Sequence, residues 1–286
     1  MATRIALMGA GGKMGMRITN NIKDLDRYHI SYIEVSEQGI SNLRNIGVEV
    51  TAEDEALKDA DAVVLALPDR LIGKISHTIV PKMKSGAMII GLDPAAAYAE
   101  VMPVRDDITY FVTHPCHPPL FNDDLDEGKR NDWFGGVYAG QHIVCALYQG
   151  PEEDYAMGEQ IAIDMYGNDD GPVIKSHRIT VEQMAILEPA LVETFSATLL
   201  SAVHEAYEKV VDEMGVPKEA AWEFLMGHLR TELAIIFGFA GFSWSDGAQL
   251  AIEKAKARIF KDNWKEEIFN IDAVKHSVKE ITDSLE

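Results

Sequence analysis

The stretch RIALMGAGGKMG, Arg4 to Gly15, decides the fold. Arg4 to Met8 reads as a short, fully buried strand, and Gly9 to Gly15 as a glycine-rich turn. Met14 to Ile22 carries helical spacing, and His29 to Val35 reads as a second strand. Strand, glycine turn, helix and strand in succession make one βαβ unit. The glycines permit positive φ and let a backbone approach a pyrophosphate closely. A helix starting at Gly12 to Met14 aims unpaired N–H groups at that anion. The candidate cofactor residues are therefore Gly9, Gly11, Gly12, Lys13 and Met14. Their spacing is G-x-G-x-x-x-G rather than G-x-G-x-x-G, so the context, not the string, carries the reading. Glu34 closes the second strand, where a carboxylate accepts hydrogen bonds from ribose hydroxyls and repels a 2′-phosphate. Val35-Ser36-Glu37 adds no Arg or Lys, so NAD is expected over NADP.

Working outward, the alternation continues. Asp61 to Leu67 is a buried strand ended by Pro68, and Leu67 is expected near the cofactor. Ala87 to Leu92 and Tyr110 to Thr113 are further strands. Val137 to Tyr148 holds one or two strands, Glu152 to Tyr166 a helix, and Pro172 to Lys175 a last strand. Apolar strands separated by helices predict α/β architecture, a doubly wound parallel sheet. After Ser176 the pattern turns helical: Thr180 to Met214, bent at Pro189, then Lys218 to Phe239 and Gly247 to Phe260. The expected division is residues 1–176 for dinucleotide binding and 177–286 for an all-helical substrate and dimerisation domain. Leu233 to Phe242 (LAIIFGFAGF) is apolar on every face, which points to burial in a homodimer. The loop Phe121 to Gly136 reads either as a solvated connection or as a lid.

The bulk composition sets limits. With 46 acidic against 26 basic residues the net charge is −20, which disfavours nucleic acid and anionic membrane surfaces. Two cysteines, Cys116 and Cys145, make no disulfide framework, so a reducing cytoplasm is expected. No uninterrupted apolar run long enough for a membrane span is evident, and no signal-peptide pattern.

His114-Pro115-Cys116-His117-Pro118-Pro119 follows a strand and so falls at the carboxyl edge of the sheet. Three readings stay open there: a zinc nest, a general acid/base at His114 or His117, or structural histidines. In the helical half, Glu182, Glu188 beside Pro189, and His228 with Glu232 one turn later are candidates.

Four segments carry a family likeness: GAGGKMG at Gly9 to Gly15, THPCHPPLFND at Thr113 to Asp123, HRITVEQMAILEP at His177 to Pro189, and GHLRTELAIIFG at Gly227 to Gly238. With these the chain resembles the D-apionate oxidoisomerases, NAD-dependent oxidoreductases with a phosphogluconate dehydrogenase-like C-terminal domain. More loosely, the front is similar to dihydrodipicolinate reductase and prephenate dehydrogenase. The resemblance implies oxidation of D-apionate at C2 followed by hydroxymethyl migration, giving 3-oxo-isoapionate. It implies a small anionic sugar-acid substrate, with His114 as base and Glu182, Glu188 and His228 as candidates for the second step. Reductoisomerases polarise such a ketone with a divalent metal. Here Arg178 stands where those enzymes place an Asp ligand, which leaves the metal open and offers Arg178 as a carboxylate clamp. A simple NAD-dependent hydroxy-acid dehydrogenase and a non-catalytic NAD-binding regulator are the alternatives.

Overall fold

A computed structural model describes residues 2–121, 125–126 and 128–283. The first half alternates as β1 (Thr3–Met8), α1 (Lys13–Ile22), β2 (Tyr28–Ile33), α2 (Glu37–Asn45), α3 (Glu53–Lys58), β3 (Ala62–Leu65), α4 (Asp69–Ile79), β4 (Met88–Gly91), α5 (Ala95–Tyr98) and β5 (Thr109–Pro115). Then follow β6 (Gln141–Gln149), α6 (Tyr155–Tyr166), β7 (Val173–Arg178) and α7 (Val181–Ala185). A π-helical stretch, Ile186–Ala197, leads into α8 (Thr198–Asp212), α9 (Lys218–Ile236), α10 (Asp246–Ile259), α11 (Trp264–Phe269) and α12 (Ile271–Asp283).

The seven strands form one sheet in the order β2-β1-β3-β4-β5-β6-β7. The first five are mutually parallel, as expected for buried apolar runs joined by helices. The last two depart from the all-parallel expectation: β6 is antiparallel to β5, and β7 runs parallel to β6. The link from β5 to β6 contains no crossover helix among its described residues, so the chain returns antiparallel. One face packs Leu7, Ile90, Phe111 and Ile143 against α1 and α6. The opposite face packs Val63, Ile89 and Tyr110 under α3 and α4, and Val112, Val144 and Ala146 against Val181 and Met184 of α7. Because β2 and β3 flank β1 on opposite sides, the chain reverses its winding at β1, and the crevice outside the carboxyl ends opens there.

The chain divides into two compact units, Met1–Glu188 with Lys275–Glu286, and Pro189–Val274. Pro189 does more than bend the helix. It lacks an N–H and its ring crowds the carbonyl one turn back, and the surrounding residues open into the wider π geometry. α9 ends at Ile236 rather than Phe239, because Gly238 takes positive φ (79°) and turns the chain out of the helix. The Leu233 to Phe242 stretch is thus half helix and half turn. In the second unit α8, α9 and α10 contain no buried residue. Against the sequence expectation, the continuous helical run Val181–Asp212 is long and apolar enough, by length and composition, to cross a membrane. Its apolar character comes from side chains that this single chain leaves uncovered, with 11% of the window buried.

Candidate active site

The turn after β1 is built at backbone contact. Gly9 has φ of 71°, and a Cβ there would lie 2.3 Å from the carbonyl oxygen of Ala66. A Cβ on Gly11 would lie 2.1 Å from the carbonyl oxygen of Gly39, and one on Gly15 2.0 Å from that of Gly9. Gly12 is the N-cap of α1 and supplies no side-chain cap, so the first turn of that helix, Lys13 and Met14, presents its amides outward. An uncapped helix start beside a side-chain-free turn at the winding reversal fits a dinucleotide pyrophosphate.

Glu34 sits at the end of β2, but its carboxylate is already engaged. Oε2 accepts from the Gly11 amide at 3.0 Å, and Oε1 from the Val35 and Ser36 amides at 2.8 and 2.9 Å. Burial alone would raise its pKa; the hydrogen bonds from Ser36, Val35 and Gly11 outweigh that and hold it below the usual range. Glu34 therefore keeps a fixed negative charge against the turn while bracing it. Leu67 is partly buried beside Gly9. Lys13 turns its Nζ over the Phe134 ring, 4.4 Å from the centroid, and Arg17 stacks on the same ring at 5.0 Å. Arg17 also donates to the Gly135 carbonyl and faces Asp132, which accepts the amides of Val137, Tyr138 and Ala139. The end of the loop, at Asp132, Phe134 and Gly135, is thus docked on α1, while Asp126 and Gly128 to Asn131 are exposed. Asn122 to Asp124 and Glu127 of that loop lie outside the described residues.

His114, the penultimate residue of β5, is the centre of a second cluster. Its Nδ1 lies 2.9 Å from the Pro115 carbonyl oxygen, an acceptor only, so Nδ1 carries the proton. In the neutral imidazole the lone pair then falls on Nε2, 3.9 Å from Asp93 Oδ2 and 3.9 Å from Glu188 Oε1. Asp93 follows β4, and its other oxygen accepts from the Ala95 amide at 2.7 Å. Asp69, at the start of α4, is a third nearby carboxyl; burial raises its pKa and the neighbouring His114 opposes the rise. His117 has φ of 61°, unusual for a side chain of its size. Its Nδ1 bonds the Phe134 carbonyl at 3.3 Å, its ring packs edge-on to Phe134, and burial pushes its pKa down. A neutral, strained His117 beside His114, with ring centroids 6.2 Å apart, forms the wall between the base and the docked loop.

The structure brings His114, His117 and Glu188 together and adds Asp93 and Asp69, which the sequence reading passed over. The signal was present: Leu67-Pro68-Asp69, Asp93-Pro94 and His114-Pro115 are polar, proline-marked ends of β3, β4 and β5 at one sheet edge. Glu182, in the first turn of α7, is exposed and accepts from Tyr98 Oη at 3.3 Å. His228 lies in the other unit on α9, exposed, bonded to its own helix at the Phe224 carbonyl (2.7 Å) and stacked on the Phe224 ring. Arg178, offered as a carboxylate clamp, is paired in this structure through Nη1 and Nη2 with Glu152 and lies over the Tyr155 ring. Among the described residues no three His, Cys, Asp or Glu side chains converge as metal ligands. The Cys116 thiol is pushed up by burial and by the Glu188 charge, opposite to what a thiolate ligand needs.

A dinucleotide cradle at one point of the carboxyl edge and an imidazole base flanked by carboxylates at another define a Rossmann-type oxidoreductase. Residues 122–282 match the phosphogluconate dehydrogenase (decarboxylating) C-terminal family, and residues 1–118 the acetohydroxy acid isomeroreductase NADPH-binding domain. The chain is 46% identical over 281 residues to a D-apionate oxidoisomerase of Rhizobium rhizogenes, covering 98% of this chain and 100% of that one. It is 45% identical to a D-apionate oxidoisomerase of Cupriavidus necator, covering 99% and 100%. A crystal structure from Cupriavidus necator, described as a semialdehyde dehydrogenase NAD-binding protein in complex with calcium and NAD, superposes with a TM-score of 0.93 at 45% identity, covering 99% of this chain and 100% of that one. The chain belongs to the D-apionate oxidoisomerase family.

Proposed function

We propose that this protein oxidises D-apionate at C2 with NAD and isomerises the product to 3-oxo-isoapionate. The observation that carries the reading is the placing of His114 Nε2 3.9 Å from both the Asp93 and Glu188 carboxylates, at the sheet edge that also bears the cradle. Bound NAD supplies the hydride acceptor. The backbone of Gly9, Gly11 and Gly12 and the amides of Lys13 and Met14 receive the pyrophosphate, with Leu67 beside Gly9 at the adjoining strand end. Glu34, charged and braced on Gly11, excludes a 2′-phosphate by repulsion. His114 Nε2 removes the C2 hydroxyl proton, and the imidazolium that forms is stabilised by the two carboxylates. In the resulting 2-oxo acid the C3 hydroxyl loses its proton, the hydroxymethyl group passes from C3 to C2, and the C2 oxygen gains a proton. Glu188 and His117, which flank His114, stand beside that centre. The test is NADH formation from D-apionate and NAD, with the carbon skeleton of the product read by 13C NMR. NADH with a rearranged skeleton is the expected result; NADH with an unrearranged skeleton would reduce the activity to a simple dehydrogenase.

The protein acts in the cytoplasm as a homodimer. What supports the dimer is the second unit, where α8, α9 and α10 hold no buried residue. An open cleft of about 540 Å³ between α8 and α9 is lined by Val203, Val210, Phe224 and Leu225, with His228 and Glu232 at one end. Trp222, Phe224, Phe237, Phe239 and Phe242 are each 46–69% exposed. Covering these five rings alone removes roughly 500 Å² per chain from water, more than half of the ~800 Å² that each partner gives to a stable interface. Light scattering is expected to show a dimer at micromolar concentration, and Phe224→Asp to produce monomer or aggregate. A wild-type monomer would remove the dimer from this reading.

A further inference from the structure

The reaction sequence proposed above needs a second proton transfer, from the C3 oxygen to the C2 oxygen, and His114 accounts only for the first. The sheet face that carries His114 holds a histidine pair that the first step does not use. In the β5–β6 ladder His114 lies opposite Val144, and the next residue of its own face, Cys116, donates its amide to the His142 carbonyl at 2.9 Å. His142 is therefore a diagonal neighbour of His114 on one face, at a backbone separation of about 7–8 Å. On β7, His177 is the register partner of Val144, so it shares this face as well. The two imidazoles lie edge to edge and nearly coplanar, with ring centroids 5.1 Å apart and planes 13° from parallel. His142 Nδ1 and His177 Nε2 are 2.8 Å apart.

Two nitrogens at that distance hold one proton between them. One ring donates across the contact and so presents a bare acceptor nitrogen at its outer end. The other accepts across the contact and so presents an N–H at its outer end. The neutral pair thus offers one acceptor and one donor, and a proton taken at the first moves across the contact and leaves at the second. Among the described residues the outer nitrogens, His142 Nε2 and His177 Nδ1, bond no protein group. Both residues are half-buried, neither sealed in the core nor fully solvated.

We propose that the His142–His177 pair is the bifunctional acid/base of the isomerisation, taking the proton from the C3 hydroxyl and returning one to the C2 oxygen. The C3–CH2OH bond breaks, a C2–CH2OH bond forms, the C3 oxygen becomes the carbonyl and the C2 oxygen the hydroxyl. There is no net oxidation, and the pair ends as it began. This rests on the function proposed above, but it separates from it experimentally because hydride removal precedes the shift.

The experiment compares wild type, His142→Gln and His177→Gln in a single turnover with D-apionate and NAD. It reads NADH by absorbance, the carbon skeleton by 13C NMR and folding by melting temperature. General acid/base groups contribute roughly 10²–10⁴-fold, so each variant is expected to slow appearance of the rearranged skeleton at least about 100-fold. NADH formation should stay within about threefold of wild type, leaving the unrearranged 2-oxo acid. Nitrogen-15 spectra of the histidine rings without cofactor should show both rings as the same neutral tautomer, both Nδ1–H or both Nε2–H, with one proton shared across the contact. Rearranged product at the wild-type rate from a folded His177→Gln, or equal loss of NADH and rearrangement in both variants, would overturn the assignment. Absence of NADH with wild type would instead overturn the function itself, and this proposal with it.

Discussion

His114→Gln is expected to lower the rate of NADH formation by about 10³-fold, within the range contributed by a positioned general base, while NAD binding stays within about threefold of wild type. Nδ1 is committed to the Pro115 carbonyl, so Nε2 is the basic atom, and a glutamine amide there has no comparable basicity. Loss should fall on kcat, since the imidazolium formed during reaction is what Asp93 and Glu188 stabilise. NAD affinity by calorimetry and turnover by absorbance separate the two. A folded variant with more than a tenth of wild-type turnover would show that the proton leaves by another route.

Gly11→Ala is expected to abolish measurable NAD binding and to lower stability by about 1–3 kcal/mol, the usual cost of forcing an atom into a packed site. The added methyl would sit 2.1 Å from the Gly39 carbonyl oxygen and 2.4 Å from its carbon, backbone atoms that have no rotamer to change. Relief requires α2 to move away from the turn, which also breaks the Asn42 Nδ2 to Gly11 carbonyl bond. Calorimetry with NAD and a thermal melt check both parts. Wild-type affinity in the variant would place the cofactor elsewhere.

The first βαβ unit was legible because each of its parts is local: an apolar run, a glycine turn and a helix read independently and agree. His114 was legible for the same reason, as a polar residue at the end of an apolar strand. Asp93 and Asp69 were not singled out because each looks like ordinary turn chemistry until the order β3-β4-β5 sets them beside His114. The His142–His177 contact was beyond reach. It joins residues 35 positions apart. It depends on β6 reversing direction and on the register shift between Gln141 and His142, and no sequence period announces either. Glu182 and Glu188, read off one helical pattern, differ in placement because residues six apart on a helix point about 120° away from one another, and only Glu188 faces His114. The apolar sequence of the helical half was read correctly as apolar, but within one chain that surface finds no cover.

The cation of Lys13 stands over Phe134, and that of Arg17 is held by Gly135 and Asp132. The two basic side chains at the start of α1 are therefore committed to the loop, and a pyrophosphate meets backbone amides instead of mobile ammonium groups. Amide dipoles carry no full charge and release no counterion when an anion arrives. In a chain of net charge −20 this sets the ionic-strength behaviour of the cradle. Its grip on the dinucleotide should decline only gently as salt rises, where a lysine-lined phosphate site would lose affinity steeply.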